Sequence, residues 1–298
     1  MKENQFSLTA IMCAYLRAYH AKYDEPKIFD DFLADQIIPD ENRLLIEEGL
    51  TKHFQLKAPE LAASLPNQAT ALKLVARAMN SRSNLLSRSR YTEETLEVAI
   101  KQGTQQYVIL GAGLDTFAFR RSDILVNLQV FEIDHPNTQN FKTQRIKELG
   151  WTVPTQLNFI PMDFTQESLA AALKKSSYNP QVKSFFSWLG VTMYLTREEV
   201  FATLRTIATI APTGSRIVFD YFDIDIFDAQ KTDTQIQEEL AQAQAAGEPM
   251  KTGFDPSMLA SDLANLGLHL HENLNQVEIQ RRYLQGRKYA QIAQAVVK

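Results

Sequence analysis

The chain has 298 residues, 45% hydrophobic and 22% charged, with 31 Lys+Arg against 35 Asp+Glu for a net charge of −4. Such a chain is long enough to bury its own core, and its mild acidity makes it a poor non-specific ligand for nucleic-acid phosphates. The single cysteine, Cys13, excludes an intramolecular disulfide framework and a thiolate metal cage.

No run approaches the roughly 18–20 apolar residues of a membrane helix. The opening residues, Met1 to Phe6, carry an early acid and no compact apolar segment, against a secretory signal. A soluble, cytoplasmic protein without a membrane partner is expected.

In chain order, residues 6 to about 90 read as helical. Leu8, Ile11, Met12, Tyr15, Leu16 and Tyr19 recur at spacings of three and four, the stripe of an amphipathic helix. Further helices are expected over Glu41–Leu56 and Ala69–Leu86, with Pro26, Pro39, Pro59 and Pro66 in the gaps. From residue 104 short apolar runs replace this pattern: Gln106–Leu110, Leu128–Asp134, Leu157–Ile160, Val182–Leu189 and Arg216–Tyr221. Helical stretches at Pro136–Leu149, Gln166–Lys175 and Arg197–Ile210 separate them. Strand alternating with helix predicts a doubly wound, mostly parallel α/β sheet.

The polar, Gln/Ala-rich segment 222–252 follows, with a helix expected over Asp233–Ala246. We read it as a lid insertion over the carboxyl ends of the strands, where open α/β sheets bind ligands; a surface excursion or a partner helix is the alternative. A helix over Pro256–Leu266, strands over Leu268–Leu274 and Val277–Tyr283, and a closing helix over Tyr289–Val297 complete about seven strands. The expected organisation is a single domain over 1–298. Residues 1–90 form an N-terminal helical cap and residues 91–298 the α/β core.

Three positions concentrate chemistry. In Val108-Ile-Leu-Gly111-Ala-Gly113-Leu-Asp115-Thr116, two glycines directly after a strand let the backbone turn tightly and approach a ligand. Thr116 occupies the place of the third glycine of the dinucleotide fingerprint, which weakens a nicotinamide reading. Asp134 ends the next strand, 21 residues after Gly113, where an acid accepts hydrogen bonds from ribose hydroxyls. Glu132 shares its side of the strand and is an equal candidate. Asp163, just past the third strand, suits an exocyclic amine of adenine, with Phe164 as an apolar wall; an N-cap competes for this acid. His269 and His271 lie on one side of a late strand, too few for a zinc site.

Arg88-Ser-Arg90-Tyr, Val108 to Thr116, Phe131-Glu-Ile-Asp-His-Pro136, Trp188-Leu-Gly-Val-Thr-Met-Tyr-Leu-Thr196 and Gly247-Glu-Pro249 with Gly253-Phe-Asp-Pro256 form an ordered set. It resembles the leucine carboxyl methyltransferase family, which includes polyketide O-methyltransferases. The resemblance implies a Rossmann-like class I fold of seven strands that binds S-adenosyl-L-methionine and releases S-adenosyl-L-homocysteine, with no metal. It implies Gly111 and Gly113 in the turn beside the cofactor's amino-acid end, and Arg90 at its carboxylate with Arg88 as the fallback two residues away. It implies Asp134 at the ribose and Asp163 with Phe164 at the adenine. Leu189 stands where the protein-carboxyl methyltransferases of the family carry a glutamate, which argues against copying their protein substrate. That loss leaves the cofactor's amino group to a backbone carbonyl near Gly111 or Leu189.

The expected activity is methyl transfer to a carboxylate or hydroxyl of a small molecule. A carboxylate acceptor is ionised at neutral pH and needs no base, so no catalytic residue is assigned. His135 is expected beside the ribose. Tyr194 and Tyr221 are candidates for the acceptor pocket, with core packing as the alternative. A nicotinamide-dependent oxidoreductase and a catalytically inactive cofactor-binding regulator are the competing functions.

Overall fold

The computed structural model describes residues 6–82, 84–232, 234–245, 247–283 and 291–297. Met1 to Gln5, the ends of the expected helix Asp233–Ala246, and the first two residues of the expected closing helix lie outside the described residues.

The five expected parallel strands are present as β1 (Gln106–Leu110), β2 (Gln129–Asp134), β3 (Leu157–Pro161), β4 (Ser184–Trp188) and β5 (Arg216–Tyr221). With β6 (Leu268–Leu274) and β7 (Gln291–Val297) they form one sheet in the order β3-β2-β1-β4-β5-β7-β6, with β7 antiparallel to both of its neighbours. Along the central strands successive residues alternate between two cores. Val108, Leu110, Phe131, Phe186 and Phe219 face one side, and Tyr107, Ile109, Val130, Phe185 and Val218 the other. A sheet buried on both faces favours near-continuous apolar runs over strict alternation.

The helices are α1 (Leu8–Tyr23), α2 (Ala34–Ile37), α3 (Asp40–Lys57), α4 (Pro59–Ser64), α5 (Gln68–Arg82), α6 (Leu85–Lys101), α7 (Phe117–Arg120), α8 (Pro136–Glu148), α9 (Leu169–Lys174), α10 (Arg197–Ile210), α11 (Thr234–Ala245), α12 (Leu259–Asn265) and α13 (Gln276–Tyr283). The N-terminal helices share a third apolar cluster, with Ile11, Tyr15 and Leu16 of α1 against Ile37, Leu85 and Leu114. A buried polar knot ties this cluster to the sheet. Asp31 accepts from Arg17 Nε at 2.8 Å and Thr116 Oγ1 at 2.5 Å, with Arg120 Nε at 3.7 Å, while Arg17 also donates to the Leu114 carbonyl at 2.8 Å. Thr116, in the place of the third fingerprint glycine, is therefore a structural tether, because its hydroxyl anchors the helical segment.

Two expectations at the C-terminal end are reversed. Val277–Tyr283, expected as a strand, lies within α13, and the described part of the expected closing helix is β7. Val277, Ile279 and the arginines mimic a strand's alternation, but Asn275 and Glu278 close a reciprocal cap that starts a helix. Glu278 N donates to Asn275 Oδ1 at 3.1 Å, and Asn275 N to Glu278 Oε2 at 2.8 Å. In β7 the run Ile292-Ala-Gln-Ala-Val has helical propensity. It is held extended by pairing with β5 and β6, and Ile292, Ala293 and Ala295 are fully buried between them.

Candidate active site

A cavity of about 580 Å³ lies beyond the carboxyl ends of β1, β2 and β4, where the strand order reverses direction. Gly111 and Gly113 form its floor. Both hold left-handed φ values, +72° and +52°, and a Cβ at Gly111 would strike the Val191 side chain. The turn is closed by Gly111 N and Ala112 N, which donate to the Ile133 carbonyl at 2.8 and 3.1 Å.

Asp134 lines the cavity at the end of β2. One of its oxygens accepts from Gly113 N and the other from His135 N at 2.6 Å. A carboxylate offers about four lone-pair positions, so acceptor capacity remains on the cavity side. Burial raises its pKa against the lowering pull of these two N–H groups.

The equal candidate, Glu132, does not reach the cavity. It is fully buried and paired with Lys142 of α8, and its Oε1 has no hydrogen-bond partner. Burial, outweighing the Lys142 charge, pushes its pKa from 4.5 up to about 7. The folded state therefore holds a proton that the unfolded chain releases, so this group's contribution to stability falls as pH rises from about 4.5 to 7. Replacing the pair together, Glu132→Gln with Lys142→Met, should flatten the urea-denaturation stability profile across that window; an unchanged slope would refute this titration.

Asp163 and Phe164 also line the cavity. The acid is not a helix cap, because α9 begins later and is capped by Ser168. Its Oδ1 instead accepts from Thr165 N at 2.9 Å and Thr165 Oγ1 at 2.8 Å, while Oδ2 meets only His135 Nε2, at 3.8 Å, among the described residues. Burial raises its pKa, but the Thr165 hydrogen bonds and His135 lower it further, so it stays ionised at neutral pH. Phe164 stacks on Trp188, ring centroids 5.9 Å apart.

The two arginines part company. Arg90 is half-exposed, pairs with Glu94 at 2.5 Å and is not on the cavity. Arg88 lines the cavity and pairs with buried Asp220 at 2.5 Å. Both sit on α6, and two residues along a helix is a turn of about 200°, so a register error of two selects the opposite face. Burial opposes the Arg88 charge, but Asp220 restores it and holds its pKa above the ordinary arginine value.

The remaining wall holds Tyr194, expected from sequence as a candidate for the acceptor pocket, and residues that carried no site assignment. Thr9, Cys13 and Arg17, spaced four apart on α1, face the cavity, as do Tyr194, Glu248 and Lys251. Their spacing is itself a stripe, polar and small, beside the apolar one. Glu248 accepts from Ser7 Oγ at 3.1 Å and from Thr9 Oγ1, and Lys251 N donates to the Met193 carbonyl at 2.7 Å. The segment expected as a lid thus meets the start of α1 at the cavity mouth. Burial, then Cys13 and Glu248, push the Tyr194 hydroxyl up to about 12, so it keeps its proton at neutral pH. Tyr221 is core: it is buried, absent from the cavity, and within 3.1 Å of Asn273 Oδ1. His269 and His271 are exposed on β6, and no group of three potential metal ligands occurs among the described residues. No helix among them is long and apolar enough to cross a membrane.

The cleft at the switch point and the sheet with one antiparallel strand between β5 and β6 define a Rossmann-like α/β fold. The family model described as Leucine carboxyl methyltransferase matches residues 10–208, and the chain belongs to that family and thereby to the S-adenosylmethionine-dependent methyltransferases. It is 39% identical over 296 residues to the Bacillus subtilis (strain 168) protein named "Putative S-adenosyl-L-methionine-dependent methyltransferase YktD", covering 97% of this chain and 94% of that one. A Mycolicibacterium smegmatis (strain ATCC 700084 / mc(2)155) protein with the same description is 30% identical over 218 residues, 71% of this chain and 65% of its own. A crystal structure of a DUF574 family protein from Streptomyces avermitilis MA-4680 shares the fold. Its TM-score is 0.57 at 11% identity, over 96% of this chain and 97% of that one.

Proposed function

We propose that the cavity holds S-adenosyl-L-methionine along the ends of β1 and β2 and passes its methyl group to an oxygen of a small molecule, a carboxylate by preference. The observation that carries this reading is a set of groups with unused capacity spaced around one cavity: the spare lone pairs of Asp134, the Oδ2 of Asp163 and the guanidinium of Arg88. They suit a ribose, an exocyclic amine and a carboxylate in turn. Gly111 and Gly113 let the chain approach the amino-acid end closely, and Phe164 gives the adenine an apolar face. The cofactor supplies a methyl carbon already activated by a sulfonium. The chain's own work is then to align the acceptor and exclude water.

Carboxylate is favoured over hydroxyl by the protonation of the acceptor side. Tyr194 keeps its proton, Glu248 is occupied by Ser7 and Thr9, and the His135 Nδ1 lone pair accepts from Asn137 N at 3.3 Å while its Nε2 turns toward Asp163, so none of these presents a free base to a hydroxyl. The net charge and lone cysteine suit a cytoplasmic setting.

Two measurements test the proposal. Arg88→Ala should weaken S-adenosylhomocysteine binding by about tenfold or more, as loss of a charged hydrogen bond does, while Arg90→Ala should stay within about twofold; the reverse pattern would return the role to Arg90. Labelled methyl should be transferred to small carboxylic acids as esters that mild alkali cleaves to methanol. Label found only on nitrogen, sulfur or carbon would remove oxygen methylation.

A further inference from the structure

Asp220 lies behind the cavity wall rather than on it, and every acceptor oxygen of its residue is engaged. Its Oδ2 accepts from Arg88 Nη1 at 2.5 Å, its Oδ1 accepts from Gly190 N at 2.6 Å, and its backbone carbonyl accepts from Thr192 Oγ1 at 2.7 Å. The residue is 2% exposed, near the carboxyl end of β5. Gly190 shapes the other side of the same guanidinium. A Cβ there would stand 2.6 Å from Arg88 Nη2, and the glycine holds φ at +71°. Asp220 therefore engages both the arginine and the loop after β4.

An arginine side chain has several rotatable bonds and loses considerable rotamer freedom when ordered. Among the described residues the Arg88 guanidinium finds one acceptor, Asp220, on a single Nη1–H. The pair thus orders the side chain through one donor and, among the described residues, leaves the others without a protein acceptor. A buried carboxylate with two N–H donors and no exit to solvent suits that role better than binding of its own.

We propose that Asp220 is a positioning residue: it sets the Arg88 fork at the height of the cofactor's carboxylate and acts on binding only through that arginine. This rests on the proposed role of Arg88. Asp220→Asn keeps an acceptor for Gly190 N but turns the other arm into a donor facing a donor.

The experiment compares two ligands by calorimetry on the full chain: S-adenosylhomocysteine, which carries the amino-acid carboxylate, and 5′-methylthioadenosine, which lacks it. Asp220→Asn should weaken S-adenosylhomocysteine by about tenfold or more and leave methylthioadenosine within about twofold. Equal loss for both ligands, including loss through unfolding, or no loss for either, would overturn the proposal. Arg88→Ala, measured with the same two ligands, separates the two readings. If it fails to discriminate between them, the assignment of Arg88 falls and takes Asp220 with it. If it discriminates and Asp220→Asn does not, only the positioning role falls. In the double variant the Asp220 substitution should add nothing to the loss already caused by Arg88→Ala; additive losses would count against action through the arginine.

Discussion

Asp31→Asn should lower the unfolding free energy by about 3–5 kcal/mol, the cost of leaving buried charge without its counter-ion. Asp31 is 1% exposed, and it is the carboxylate that Arg17 and Arg120 share. Burial alone would raise its pKa, but the two guanidinium charges and the Thr116 hydroxyl win, and it sits below the usual carboxylate range. Asparagine keeps the shape and one acceptor for Thr116 while deleting the charge. Arg17 would be left with the Leu114 carbonyl, and Arg120 with Glu93.

The sign of the pH dependence follows. A depressed carboxylate contributes stability above its unfolded pKa and loses it as pH falls through the folded one. The gap between wild type and Asp31→Asn should therefore be widest near neutrality and shrink in acid. Urea midpoints measured across pH would show this. A cost below about 1 kcal/mol at neutral pH, the scale of an ordinary exposed pair, would mean the knot is not what fastens the helical segment to the sheet. The same variant should disturb the cavity, because Arg17 and Leu114 both line it.

This knot marks one limit of what the sequence disclosed. The central sheet was legible because strands buried on both faces leave continuous apolar runs, as in Tyr107-Val-Ile-Leu and Phe131-Glu-Ile, broken only by the buried Glu132. The glycine turn and Asp134 were legible because one backbone path needs both. Asp31, by contrast, carries no pattern: its partners lie 14, 85 and 89 positions away and meet only in three dimensions. Thr116 stands where the fingerprint has a glycine, and its role as a tether has no local signature for the same reason.

Other misses had a local signal that periodicity overrode. The Asn275–Glu278 cap was readable as a helix start three residues apart, yet the Val277, Ile279 alternation carried the strand assignment. Arg88 and Arg90 were both in view, and the choice between them turned on helix phase, which a motif alone does not set. The Thr9, Cys13 and Arg17 face of α1 has no signature of its own, because the apolar stripe fixes which face is buried but not what the adjoining stripe borders. Glu248 stood in a quoted motif without a role. Its partners, Ser7 and Thr9, are 241 and 239 residues distant.

Asp134→Ala should weaken S-adenosylhomocysteine by about a hundredfold, near 3 kcal/mol, if the carboxylate accepts from both ribose hydroxyls. Part of that loss would come from the turn, since Gly113 N and His135 N lose their acceptor. A ribose-modified ligand separates the contributions. Wild type should discriminate strongly between S-adenosylhomocysteine and its 2′,3′-dideoxy analogue, and the variant should not. Burial raises the Asp134 pKa in the free protein, whereas hydroxyl donors favour the ionised form and lower it in the complex. At a pH near or below the free-state value binding therefore expels a proton, and affinity should climb as pH rises toward that value and then level off. Asp134→Ala should abolish that slope along with the discrimination. Calorimetry in two buffers of different ionisation enthalpy reads the proton directly. Wild-type affinity that is flat with pH, together with a variant that still distinguishes the two sugars, would place the ribose elsewhere.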